Sequence, residues 1–298
     1  MAEPEFSEAG REQAESPTPW RMLAPVRQTA PVVFASPHSG RDYPPEFVAS
    51  SRLGVIDLRR SEDAYMDEIF AAAPDHGAPL LCAQFPRAYV DANREAFELD
   101  PAMFADDLPD YVNTSSPWIA AGLGTIARVV NDGEDIYGGP LRFNDAKRRI
   151  EALYRPYHSA LKELVRATKK RFGGCLLVDC HSMPSNARPR NGGRGADVVL
   201  GDCFGTACAP AITDTAQAAL EGMGFAVMRN KPYAGGFTTR HYGRPKLGIH
   251  VLQIEINRGL YMDEKRVRRG AGLPGLKRRI GGLMRTLVGI DPQILQVT

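Results

Sequence analysis

The sequence has little of what would tie it to an extracellular, membrane or nucleic-acid setting. Only five of its 298 residues are cysteine. That odd number follows no extracellular spacing, so a disulfide scaffold is excluded and reduced thiols are expected. Cys175 and Cys180, then Cys203 and Cys208, imitate paired zinc-ligand spacings. The first pair spans an expected strand, so its members face opposite ways, as core cysteines do. No apolar run approaches the roughly 18–20 residues of a membrane span. The opening residues are acidic and polar rather than basic and then apolar, so no signal peptide is expected. Neither charge sign dominates: 37 basic and 35 acidic residues give a net charge of +2, which argues against a dedicated nucleic-acid binder. HExxH and GxSxG are absent, which removes the metalloprotease helix and the nucleophile elbow. Residues 122–127 (GLGTIA) match a loose dinucleotide fingerprint, but they follow Pro117 and Trp118 rather than a buried strand.

What is present is an ordinary globular composition, 43% apolar and 24% charged. A chain of this length buries about three quarters of the surface it exposes when unfolded. Residues 1–20 lack hydrophobic periodicity and are rich in Glu, Ser and Pro, so they are expected to form a disordered arm. Residues 21–298 are expected to form a single domain. Short apolar runs at 32–36, 79–84, 88–90, 176–178, 197–200, 225–228 and 250–256 predict strands. Helical periodicity is expected over 61–73, with Tyr65, Ile69 and Ala72 on one face, and over 207–222 and 263–286. The clearest helix is 144–171, with Asn144 as N-cap and Gly173-Gly174 beyond its end. Residues 95–140 read as irregular. Strands alternating with helices indicate a layered α/β fold. Residues 265–285 hold eight Lys or Arg and no acid, which reads as the solvated face of a basic C-terminal helix.

Three constellations could carry chemistry. His38 follows VVFASP and His181 follows LLVDC, so both stand at strand ends, where ligands gather in open α/β sheets. Two imidazoles there could hold one divalent ion, with a third ligand from Glu62, Asp63 or Asp179 and one position open to water. Asp179 could instead support His181, two residues on and on the same strand face. Glu255 lies between Ile254 and Ile256 and shares its strand face with Val251, Gln253 and Asn257. A carboxylate there is expensive to bury, and its raised pKa would suit a general base; a salt bridge to Arg258 or another arginine is the bland alternative. Arg87 with the segment through Asn93 and Arg94 suits carboxylate recognition, although ion pairing with Asp91, Glu95 or Glu98 explains it more simply.

Taken together and in order, SPHSGRDYP (36–44), SEDAYMDEIF (61–70), FPRAYVDANRE (85–95), YRPYHSAL (154–161), LLVDCHSMPS (176–185), YAGGFTTRHYGRP (233–245) and LQIEINRGLYMDE (252–264) give a chain that resembles the N-formylglutamate amidohydrolase family over about residues 30–265. The resemblance implies a three-layer α/β sandwich with a mixed central sheet, like that of zinc carboxypeptidases. It implies a zinc enzyme, with one ion, that cleaves N-formyl-L-glutamate to formate and L-glutamate in histidine degradation; the cytoplasmic setting is expected from the reduced thiols. By position it implies His38, Asp63 and His181 as metal ligands and Glu255 as the carboxylate that activates water. Arg87, Asn93 and Arg94 would meet the substrate, and His158 and the 235–241 loop, with Arg240, would line its pocket. The chain departs from the carboxypeptidase pattern after His38, where Ser-Gly-Arg leaves no glutamate three residues on. The carboxylate ligand must come from elsewhere, and Glu62 rivals Asp63. A hydrolase of another N-acyl amino acid or short peptide is the alternative within the same chemistry. A non-catalytic metal- or ligand-binding protein is the alternative outside it. The implied partner is a small anionic N-acyl amino acid, with no nucleic acid or membrane; the oligomeric state is left open.

Overall fold

The computed structural model describes residues 18–130, 133–186 and 195–296. Seven strands form one mixed sheet: β1 (Trp20–Leu23), β2 (Val32–Ser36), β3 (Leu80–Ala83), β4 (Cys175–Met183), β5 (Val198–Gly201), β6 (Val227–Arg229) and β7 (Ile249–Asn257). Their spatial order is β1-β3-β2-β4-β7-β5-β6. The core β3-β2-β4-β7 is parallel, while β1 joins β3 and β5 joins β7 antiparallel. A separate short hairpin pairs β8 (Met262–Asp263) with β9 (Arg268–Arg269). The helices are α1 (Pro45–Ser50), α2 (Val55–Arg59), α3 (Met66–Ile69), α4 (Pro117–Ala120), α5 (Phe143–Arg149), α6 (Arg155–Phe172), α7 (Pro210–Gly222), α8 (Phe237–Tyr242) and α9 (Leu273–Val288).

Side-chain alternation along the strands divides the core into two layers. Leu176, Val178, Cys180, Leu252, Ile254 and Ile256 face one way and pack with Met66 and Ile69 of α3, Ile212 and Leu220 of α7, and Leu276, Ile280, Leu283 and Leu287 of α9. Val33, Ala35, Leu81, Cys175, Leu177 and Val251 face the other way, against Tyr157, Leu161 and Val165 of α6. Both layers recur at helical spacing on their helices and at spacing two on their strands. The result is the expected three-layer α/β arrangement. Asp179 and His181 continue the α6-facing row of β4, and Gln253 and Glu255 continue that of β7. The site therefore rises from the α6 side of the sheet, at the carboxyl ends of adjacent parallel strands.

Several expected elements are shorter or displaced. The expected arm to residue 20 yields its last residue to β1, which begins at Trp20; residues 1–17 lie outside the described ones. The segment 88–90 is a turn, in which the Pro86 carbonyl accepts from the amides of Tyr89 and Val90. The helix expected over 61–73 shrinks to Met66–Ile69. Its first residues are held elsewhere: the Asp63 amide donates to the His38 carbonyl at 3.0 Å, and Tyr65 adopts a left-handed backbone with φ of 67°. The long helix begins at Phe143, with Arg142 rather than Asn144 at the N-cap position and the Phe143 amide donating to Asp106 Oδ2 at 2.8 Å. It widens to a π-helical turn at Ile150–Tyr154 before α6. Pro156 explains the break, since it has no amide proton to donate to the carbonyl four residues back. Gly173 closes α6 at φ of 82°, as a left-handed cap requires. The C-terminal helix starts at Leu273 because residues 262–269 turn back as the β8–β9 hairpin.

Candidate metal centre and active site

Three chain segments converge on one carboxylate. Asp63 Oδ2 lies 2.9 Å from His181 Nδ1 and 3.2 Å from His38 Nδ1. Its other oxygen, Oδ1, accepts from the Ser182 hydroxyl at 2.9 Å and from Arg258 Nη2 at 3.2 Å. Arg258 also donates from Nε to Ser182 Oγ and from Nη1 to the Arg60 carbonyl, which locks its guanidinium. His38 and Asp63 are each 1% exposed and His181 3%, so none of these polar groups has water to fall back on. Burial opposes the charge on Asp63, but hydrogen bonds from His181 and His38 hold its carboxyl well below the usual range. Burial likewise opposes a charged His181, yet Asp179 and Asp63 hold that imidazole well above its ordinary value.

The local chain explains how each group arrives. His38 leaves β2 through Ser36-Pro37, and the turn beyond it lies flat on the exit of β3. The Asp42 amide donates to the Gln84 carbonyl at 3.0 Å, and a Cβ on Gly40 would stand 2.2 Å from the Phe85 oxygen. His181 sits on β4 directly opposite Glu255 on β7. The second nitrogen of His38, Nε2, meets Asp91 Oδ1 at 2.8 Å, and Asp91 is held by Arg87 Nε at 3.0 Å and the Asn93 amide at 2.8 Å.

This donor set fits a divalent ion. His38, Asp63 and His181 bring one ligand atom each to within 4.8 Å of one another. Two ligands on a tetrahedral ion, each about 2.0–2.1 Å from it, stand roughly 3.3 Å apart, close to the two imidazole–carboxylate separations here. A carboxylate on the far nitrogen of a ligating histidine is the usual support for such a site, and Asp91 supplies it to His38. Glu62 stands outside the cluster: it pairs with Arg59 Nε at 3.0 Å and accepts from the Tyr43 hydroxyl at 2.8 Å.

Glu255 is 7% exposed. Burial, then the nearby carboxylates Asp63 and Asp179, push its carboxyl up to about 7, against the opposing fields of His181 and Arg87. Arg258, the bland partner considered for it, bonds Asp63 instead. Glu255 Oε1 accepts from Gln253 Nε2 at 2.8 Å, and Gln253 Oε1 in turn accepts from the Gly236 amide at 2.7 Å. That loop presses closely on the site: a Cβ on Gly236 would stand 2.3 Å from the Asn93 amide nitrogen.

The remaining expected residues divide. Arg87 spends Nε on Asp91, while its terminal nitrogens have no partner among the described residues. Arg94 is more committed: Nε donates to the Leu123 carbonyl, Nη1 to the Asn93 carbonyl, and the guanidinium lies 4.5 Å from the Trp118 ring centre. Burial lowers its pKa, and the positive fields of Arg87 and Arg240 add to that. Arg240 is exposed, and among the described residues its guanidinium bonds only the Gly235 carbonyl, at 3.0 Å. Asn93 accepts from the Thr238 amide at 2.7 Å, and its nitrogen faces His181 Nε2 at 3.2 Å. His158 has both ring nitrogens occupied. Nε2 donates to the Ala92 carbonyl at 2.8 Å, leaving Nδ1 to accept from the Tyr242 hydroxyl at 2.9 Å. Burial lowers its pKa to about 4, consistent with a neutral ring. It braces the 91–94 segment against α6. Sequence reading did not assign site roles to Ser182, Gln253 or Arg258, nor pair Asp91 with His38.

A family model for N-formylglutamate amidohydrolase matches residues 30–262. The chain is similar to an N-formylglutamate deformylase of Pseudomonas putida, 28% identical over 240 residues, which cover 78% of this chain and 82% of the relative. It is similar to one of Pseudomonas aeruginosa, 29% identical over 250 residues, covering 82% and 86%. The crystal structure of an N-formylglutamate amidohydrolase from Ralstonia eutropha matches with a TM-score of 0.86 and 36% identity, over 91% of this chain and 97% of that one. A gene product of Agrobacterium tumefaciens shares the fold, with a TM-score of 0.66 and 19% identity.

The geometry separates the two neighbouring carboxylates. Asp63→Ala should abolish stoichiometric zinc binding, measured by elemental analysis after gel filtration, whereas Glu62→Ala should retain the metal. The reverse pattern would overturn this assignment.

Proposed function

The chain belongs to the N-formylglutamate amidohydrolase family, and from that premise we propose that it is a zinc-dependent amidohydrolase converting N-formyl-L-glutamate to formate and L-glutamate. The observation that carries the reading is the meeting of two buried imidazoles on Asp63, with Glu255 directly across from His181 on the next strand. His38, Asp63 and His181 would hold the ion. When bound, zinc supplies a Lewis acid that acidifies water and polarises the formyl carbonyl.

Glu255 takes the proton of the attacking water and delivers it to the leaving amine as the formyl C–N bond breaks. A carboxyl poised near 7 suits both transfers. Gln253 holds it in place through one oxygen. Arg87, Arg94 and Arg240 crowd one side of the site, where burial and mutual repulsion favour an anion. The free terminal nitrogens of Arg87 and the exposed head of Arg240 suit the two carboxylates of the substrate. Asn93 and His158 keep the Arg87–Arg94 segment in register with His38. The proposal includes a place in histidine degradation and a cytoplasmic setting, which the five free thiols suit. No helix among the described residues is long and apolar enough to cross a membrane.

Formate release from N-formyl-L-glutamate tests the reading. Zinc-loaded protein should release formate, lose the activity to a chelator and regain it with zinc. Turnover that survives complete zinc removal, or a preference for an N-acetyl amino acid in a substrate panel, would contradict it.

In the same assay Glu255→Gln should lower kcat by about 10²–10⁴ with zinc content unchanged. For the wild type, protonation of Glu255 removes the base, so kcat/KM should fall on the acid side of neutrality, the ion's charge setting that limb below the value of about 7 that burial and the neighbouring carboxylates give the ion-free site. The variant should lack that limb. A variant keeping more than about a tenth of the wild-type kcat would remove Glu255 from the proton transfers.

A further inference from the structure

Asp179 is wholly buried on β4, two residues before His181 and on the same face. Neither of its oxygens accepts a hydrogen bond from any described residue. A buried carboxylate with empty acceptor positions is costly, and its presence in a native fold calls for a use. Oδ2 stands 3.1 Å from His181 Nε2, near enough to accept from it but not aligned to do so.

The same nitrogen faces a second group. Asn93 Nδ2 lies 3.2 Å from Nε2, and the Thr238 amide bond to Asn93 Oδ1 determines which end of the side chain points at the ring. His181 Nε2 thus has a donor on one side and an acceptor on the other, and it can use only one at a time. The choice depends on Nδ1. Asn93 Nδ2 is itself a donor, so it can serve Nε2 only when that nitrogen carries no proton. With an ion on Nδ1, the proton sits on Nε2 and needs an acceptor, which Asn93 does not offer.

We propose that Asp179 is a positioning residue for the metal centre, accepting from His181 Nε2–H when Nδ1 is given to the ion. The inference rests on His181 being a ligand. It makes the two histidines unequal: Asp91 is shared among His38, Arg87 and Asn93, whereas Asp179 has no hydrogen-bond donor among the described residues and only His181 Nε2 beside it to serve.

The test is the zinc affinity of the full-length chain, by competition with a chelating indicator, with the thermal midpoint of the metal-free protein measured alongside. Asp179→Asn should bind zinc about 10–100-fold more weakly, while the metal-free variant stays folded. The visible spectrum of the cobalt-substituted variant should shift as His181 reorients. Unchanged zinc affinity would overturn the proposal, as would a metal-free variant that fails to fold or loses stability in step with affinity. Wild-type protein that binds no zinc would remove the proposed function as well, whereas wild-type binding matched by Asp179→Asn would remove this inference alone.

Discussion

The burial of Asp63 is the constraint on which the rest of the structure depends. A carboxylate with 1% exposure is costly unless donors fill its acceptor positions, as they do at both oxygens of Asp63. Here the donors come from the end of β2, from β4 and from the residue that follows β7. None of these segments is near Asp63 in sequence: His38 precedes it by 25 residues, His181 follows it by 118 and Arg258 by 195. The sheet order β2-β4-β7 brings them together, and their close packing at one carboxylate in turn holds the strand ends in register. Removing one donor would leave an uncompensated buried charge, which is why such a cluster is more rigid than a surface ion pair.

The same geometry sets up chemistry. Imidazoles turned toward one carboxylate bring their Nδ1 atoms to a common point, where they would become ligands once an ion displaces the Nδ1 protons. The register that places His181 beside Glu255 also places Glu255 in a field of other carboxylates, and burial combined with that field makes it a base near neutrality. The 233–242 segment links the two halves of the site. Its Gly236 amide holds Gln253, and through it Glu255, while its Thr238 amide holds Asn93 beside His181.

Much of this was legible in the sequence, for stated reasons. Alternation along 250–256 separated Leu252, Ile254 and Ile256 from Gln253 and Glu255, and the fold places those rows on opposite faces. Histidines at the ends of apolar runs marked the carboxyl edge of the sheet, and the expected basic C-terminal helix is α9. Local periodicity failed where the site claims the backbone. Ser61–Asp63 reads as the start of a helix, but the Asp63 amide belongs to His38, so the helix cannot start until Met66. Proline rules were available for Pro86 and Pro156 and outweigh the strand and helix patterns around them. Long-range partnership was not legible. Asp91 looked like a surface partner for Arg87, and it is one partner, but its bond to His38 across 53 residues exists only in the fold. His158 was implied only by the family resemblance, as a pocket residue, and in the fold its two nitrogens serve the Ala92 carbonyl and the Tyr242 hydroxyl.

The central claim is that one ion sits between His38, Asp63 and His181, away from the cysteines. X-ray absorption at the zinc edge of the metal-loaded protein tests it most directly. The account predicts nitrogen and oxygen neighbours at roughly 2.0–2.1 Å, the outer-shell scattering of two imidazoles, and no sulfur. A sulfur shell near about 2.3 Å, or fewer than two imidazoles, would contradict it.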